Sequence, residues 1–96
     1  MRVGEVTVLM SVYANTKAED LAFALKSLQA QTRPPERILV VLDGPIAQDV
    51  HSLLNNVDTL PLEENVGLGK ALAAGLRAVD TEFVARLDSD DAAFPH

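Results

Sequence analysis

Four short apolar runs alternate with three stretches of helical periodicity, and this alternation constrains the fold more than any other feature of the chain. Residues 6–13 are apolar and β-branched with few charges, the pattern of a strand buried on both faces. Leu21, Ala24, Leu25 and Leu28 then recur at helical spacing, and Thr16 and Glu19 have the spacing of a capping box at a helix start. Pro34-Pro35 bars the helix from continuing. Arg-Ile-Leu-Val-Val-Leu over residues 37–42 predicts a second buried strand, closed by the turn signal Asp43-Gly44-Pro45. A weaker helix is expected over residues 46–56, with Val50, Leu53 and Leu54 on one side. A short strand is expected over 58–62, where Pro61 suits a sheet edge. Leu68, Ala71, Leu72, Gly75, Leu76 and Val79 form a third helical stripe, and residues 82–87 read as a fourth buried strand. Such β-α-β-α-β-α-β order with short links means an α/β fold: a parallel sheet with right-handed crossovers.

Ninety-six residues fit one small domain or a piece of a larger one. With 48% apolar and 23% charged residues, the chain is globular rather than disordered. Its net charge of −6 argues against a nucleic-acid partner, because phosphate binding needs Lys and Arg to displace counterions. The absence of cysteine removes disulfides and thiolate metal sites and suggests a reducing, cytoplasmic setting. Glu5 interrupts any signal-peptide apolar region, and no apolar run approaches the ~18 residues of a spanning helix.

In this topology the carboxyl ends of all four strands share one sheet edge, where open α/β sheets bind ligands. The residues gathered there are Ser11 and Tyr13, then Asp43, then residues 63–69, then Asp88-Ser89-Asp90-Asp91. Three carboxylates within four residues repel one another unless a cation sits among them, and hard cations prefer carboxylate oxygen. The acidic run therefore reads either as a metal site or as a solvated turn. Tyr13 either lies against a planar base or ribose, or is a rim tyrosine. Asp43 either accepts a hydrogen bond from a base N–H or bonds its own turn backbone. The segment Asn65-Val66-Gly67-Leu68-Gly69-Lys70 either presents N–H groups and a Lys to an anion, or simply starts a helix. It is not a P-loop, since the four-residue spacer is missing and Ala71 replaces the Mg²⁺-binding Ser or Thr. No G-x-G-x-x-G follows the first strand, which argues against a dinucleotide cofactor. Ser11 has no nearby His for a triad, Lys17 fits a solvated helix face, and His51 and His96 read as surface residues.

Ser11-Val12-Tyr13, Ser27-Leu28-x-x-Gln31, Asp43-Gly44, Glu64-Asn65-x-Gly67-Leu68-Gly69-Lys70-Ala71-Leu72 and Arg86-Leu87-Asp88-Ser89-Asp90-Asp91 occur in one order and at spacings that resemble a family 2 glycosyltransferase of GT-A fold. Each motif alone is weak; the five in register are specific. The likeness is strongest to bacterial exopolysaccharide and O-antigen enzymes and extends over residues 1–96, as the N-terminal nucleotide-sugar-binding part. The resemblance implies a Rossmann-like three-layer α/β/α architecture with a mainly parallel sheet in the order 3-2-1-4, cut short after the fourth strand.

It also implies roles. Ser11 and Tyr13 would border the nucleoside and Asp43 would bond the base, uracil in a UDP-sugar. Asn65, Gly67 and Lys70 would complete the nucleotide-sugar contacts. Asp88 would contact ribose or, through water, the metal, Asp90 would ligate Mn²⁺ or Mg²⁺, and Asp91 would lie beside the donor sugar or support the metal site. The acceptor would be a saccharide or a lipid-linked saccharide in cell-surface polysaccharide synthesis, with the full protein at the inner face of the membrane. The catalytic base is expected beyond residue 96, which would leave this piece without turnover. A partly bare sheet face would favour homo-oligomers. Two departures stand out: Leu42 replaces the first acid of the common Asp-Asp-Gly-Ser, and Leu72-Ala73 stands where Arg-Asn is common. Two other readings are a nucleotidyltransferase, whose Gly-rich basic loop is missing at residues 13–17, and a non-catalytic α/β nucleotide-binding module.

Overall fold

The computed structural model describes residues 2–87. The elements run β1 (Arg2–Val12), α1 (Ala18–Gln29), β2 (Arg37–Leu42), α2 (Gln48–His51), β3 (Asp58–Pro61), α3 (Leu68–Arg77) and β4 (Thr81–Arg86). The four strands form one all-parallel sheet in the order β3-β2-β1-β4. That is the predicted order. Strands β1 and β2 lie at the centre in register from Thr7↔Arg37 to Val12↔Leu42, and their side chains feed both faces alternately.

On one face Met10, Val12, Val40 and Leu42 pack against Leu21, Ala24 and Leu25 of α1 and against Val50 and Leu54. On the other, Leu9, Leu39 and Val41 meet Ala71 and Leu72 of α3. This division follows from handedness. The crossovers through α1 and α2 step one way from β1, the crossover through α3 returns past it, and right-handed connections place α3 on the opposite face. Gly75 lets α3 approach closely. A Cβ there would lie 2.5 Å from Leu9 Cδ1 and 2.8 Å from Val41 Cγ2.

Local expectations shift in four places. β1 begins at Arg2 rather than residue 6, because Gly4, at φ +78°, takes up a register shift between Arg2 and Val6 and donates its N–H to Glu82 Oε1 at 2.7 Å. The capping box does not form: Lys17 is the N-cap of α1, and Thr16 Oγ1 instead accepts the Tyr13 N–H at 2.9 Å. The second helix shrinks to four residues. Asp49 accepts the Val50 N–H through its side chain, and Leu53 and Leu54 donate to carbonyls three residues back, so the turn tightens rather than propagates. The fourth strand is not buried by the described residues: Phe83 is 54% and Val84 38% exposed, because among those residues β4 is the last strand of the sheet and α3 packs on β1 and β2.

Candidate functional site

A hollow of about 620 Å³ opens at the carboxyl ends of β1, β2 and β4, within the ~300–1,000 Å³ range of small-molecule sites. Of the sequence-predicted residues it brings together Ser11, Tyr13, Asp43, Asn65 and Gly67. Lys70 is not in its lining and is exposed on α3. Asp88, Asp90 and Asp91 lie outside the described residues, although Leu87, the residue before them, lines the hollow and donates its N–H to the Leu9 carbonyl at 3.1 Å.

Asp43 organises the floor. It follows β2 directly, is 4% exposed, and donates its own N–H to the Val12 carbonyl at 2.8 Å, which continues the β1–β2 pairing one step past the strand. Its carboxylate reaches across to the loop before α3. Oδ1 accepts the Val66 N–H at 2.7 Å, and Oδ2 accepts the Gly67 N–H at 3.2 Å and the Asn65 amide at 3.3 Å. The Asn65 amide also donates to the Asp43 carbonyl at 3.3 Å. Asp43 is therefore not a turn residue bonding its own backbone. It fastens the β3–α3 loop to the tip of β2, a carboxylate satisfied by N–H donors at a helix entrance. An ionised carboxylate offers about four lone-pair directions. Among the described residues Oδ1 serves only the Val66 N–H, so acceptor capacity remains beside the hollow.

The next residue makes this clasp possible. Gly44 has φ +83°, and a Cβ on it would stand 2.7 Å from the Asn65 backbone nitrogen. Only glycine permits both the left-handed turn and the close approach of the two loops.

The rim is set by the turn between β1 and α1. Thr16 donates its N–H to the Tyr13 carbonyl at 3.1 Å while its hydroxyl accepts the Tyr13 N–H. This closed turn holds Tyr13 at the mouth, 46% exposed. Lys17 and Asp20 line the same wall, one helical turn apart. Lys17, the N-cap of α1, is exposed, as a solvated residue should be, and also borders the hollow. The sequence holds one clue to this wall, the three-residue spacing of Tyr13 and Thr16, which serves an ST turn as well as a cap. Leu68 and Leu72 of α3 add apolar surface to the lining.

Asp20 and Asp43 are the described acids in the lining, and no group of three or more His, Cys, Asp or Glu that could hold a metal is found among the described residues. The described part alone does not make a metal cage. The residues of the right chemistry, Asp88 and Asp90, follow immediately after Leu87. No helix among the described residues is long and apolar enough to cross a membrane.

A sequence model of glycosyl transferase family 2 matches residues 7–96. The amylovoran biosynthesis glycosyltransferase AmsE of Erwinia amylovora is 40% identical over 95 residues, covering 93% of this chain and 36% of that protein. The Escherichia coli UDP-Gal:alpha-D-GlcNAc-diphosphoundecaprenol beta-1,3-galactosyltransferase is 33% identical over 91 residues, covering 88% of this chain and 33% of that protein. The crystal structure of Staphylococcus aureus TarS superposes with a TM-score of 0.80 at 26% identity, over 94% of this chain and 17% of that one. The chain spans about a third of the length of these two curated relatives.

Proposed function

Since this chain belongs to glycosyl transferase family 2, we propose that its hollow receives the nucleoside diphosphate of a nucleotide-sugar donor, a UDP-sugar, whose sugar passes to a saccharide or lipid-linked acceptor in polysaccharide synthesis. The observation that carries this reading is that the buried Asp43 and the half-exposed Tyr13 line one hollow at the carboxyl ends of parallel strands. Asp43 keeps acceptor capacity for a base N–H, Tyr13 offers a face for stacking, and Ser11 adds a hydroxyl beside them. Lys17 rather than Lys70 is the cation within reach of a bound anion. The names of two relatives support the class of reaction: one specifies a UDP-Gal donor and a diphosphoundecaprenol-linked acceptor, the other amylovoran biosynthesis.

Leu87 lines the hollow, and Asp88-Ser89-Asp90-Asp91 are the next residues in the sequence. Asp88 and Asp90 would hold Mn²⁺ or Mg²⁺, which as a Lewis acid offsets charge on a departing diphosphate. Asp91 would stand beside the donor sugar. The described residues bind and orient: the clasp at Asp43 keeps the β3–α3 loop in place, and the turn at Thr16 fixes the tyrosine at the mouth. The base that deprotonates the acceptor is expected beyond residue 96, so this chain binds donor without turnover.

Calorimetric titration with UDP, with and without Mn²⁺, tests the proposal. Metal-enhanced binding is expected. Tyr13→Ala should weaken it about tenfold, since stacking on one base is worth ~1–3 kcal/mol, and Asp90→Ala should remove the metal dependence. No binding at millimolar UDP, or binding indifferent to Tyr13→Ala, would contradict it. Sugar transfer by the 96-residue chain would contradict the expected absence of turnover.

A further inference from the structure

Among the described residues, the acids drawn in from solvent are Glu5, Asp20 and Asp43. Glu5 has a partner, and the Asp43 carboxylate is spent on the clasp to the β3–α3 loop. Asp20 differs. It lines the hollow, yet its side chain makes no hydrogen bond or ion pair among the described residues.

Its place in α1 sharpens the point. Asp20 stands three residues after the N-cap Lys17, where an acid ordinarily reaches back to the N-cap N–H. Here that bond is not made, and Lys17, one turn away, is not paired with it either. A second groove among the described residues, of about 270 Å³ beside Val8, Leu28 and Pro34, offers a contrast. Its acid, Glu36, accepts the Val6 N–H at 2.7 Å and faces Arg33 at 3.7 Å. The Glu36 carboxylate ties elements of the fold together; the Asp20 carboxylate ties none and borders the hollow.

A free carboxylate is out of place beside a diphosphate, because like charges repel. It suits the part of a nucleotide that carries donors and no charge. In a nucleoside diphosphate those donors are the base N–H and the ribose hydroxyls. Asp43 takes the base N–H, which leaves the ribose. We propose that Asp20 reads the vicinal diol of the ribose, its carboxylate accepting from the 2′- and 3′-hydroxyls. This rests on the hollow's receiving a nucleotide and adds a specificity-determining residue to it. An Asp or Glu hydrogen-bonded to a ribose hydroxyl serves the same end in the dinucleotide sites of other α/β sheets.

The layout of the hollow agrees. α1 and α3 pack on different faces of the sheet, and they bring different chemistry to the lining: Lys17 and Asp20 from α1, Leu68 and Leu72 from α3. The base lies with Tyr13 and the leucines, and the ribose turns to the charged side. There Lys17 meets the phosphate that the same sugar carries. A carboxylate for the diol and an ammonium for the phosphate, neighbours one helical turn apart, match two groups joined through one sugar ring.

Calorimetric titration of the 96-residue chain with UDP, 2′-deoxy-UDP and 3′-deoxy-UDP in Mg²⁺ tests this. Each deoxy analogue should bind about tenfold more weakly than UDP, the loss expected when a hydrogen bond to a charged acceptor is removed. Asp20→Ala should weaken UDP by about tenfold or more and bring all three ligands within about twofold of one another. Asp20→Asn keeps the shape and one acceptor oxygen, and should leave an intermediate preference. If Asp20→Ala loosens α1, seen as lost helical circular dichroism, the analogues on the parent chain and Asp20→Asn still decide the matter. UDP binding that ignores both hydroxyls overturns this proposal and spares the nucleotide reading. So does a ribose preference that survives Asp20→Ala; its loss in Asp88→Ala would then assign the diol to the acidic run. No binding at millimolar UDP overturns both.

Discussion

β2 and β4 are six residues long, run parallel and carry apolar side chains through their middles, yet they have opposite fates. The last four residues of β2 are buried; in β4 only Thr81 is. Propensity does not separate them. Position does: β2 lies between two strands with helices above and below, whereas among the described residues β4 has a sheet neighbour on one side. A strand's apolar content states that it wants cover, and sheet order decides whether the described part of the chain supplies it. The tips of both strands nevertheless border the hollow, through Asp43 after β2 and Leu87 after β4.

Four substitutions sharpen this contrast, each read by urea denaturation at low protein concentration. Asp43→Ala should have the largest effect, about 3 kcal/mol of lost stability, because it strands the Val66 and Gly67 N–H groups that the carboxylate satisfies. Gly75→Leu comes next, at about 2 kcal/mol, since the added atoms enter space held by Leu9 and Val41 where α3 meets the central strands. Val40→Thr places a hydroxyl in the β2 core and should cost about 1.5 kcal/mol. The matched change Val84→Thr in β4 should fall within about 0.5 kcal/mol of the parent. Equal costs for the two valine substitutions would erase the distinction between the strands.

Much of the fold was legible from the linear chain because its signals are local. Apolar runs such as residues 37–42 and stripes such as Leu21, Ala24, Leu25 and Leu28 need only their own spacing to be read, and handed crossovers convert their order into a sheet. What escaped depends on distant partners. The exposure of Phe83 and Val84 follows from β4 having no second neighbour among the described residues, which no window around residue 83 contains. The clasp made by Asp43 was not among its two sequence readings, base acceptor or turn residue, because its donors stand 22 to 24 positions away. Thr16 had spacing suited to two motifs, and the tertiary structure used it for the turn that places Tyr13. Ser11, Tyr13, Asp43, Asn65 and Gly67 line one hollow because they lie at or after strand tips. Lys70, in the first turn of α3, is not in that lining, whereas Lys17 and Asp20 at the start of α1 are.

The most direct test is a UDP titration of the ¹⁵N-labelled chain followed by two-dimensional NMR, in the presence of Mg²⁺ so that signals are not broadened. Shifts should concentrate at the amides of Tyr13, Asp43, Asn65, Val66 and Gly67, with those of Val84 and the Pro34 groove unmoved. Shifts centred on β4 or on that groove, or a spectrum unchanged at millimolar UDP, would show that the hollow at the strand tips is not where a nucleotide binds.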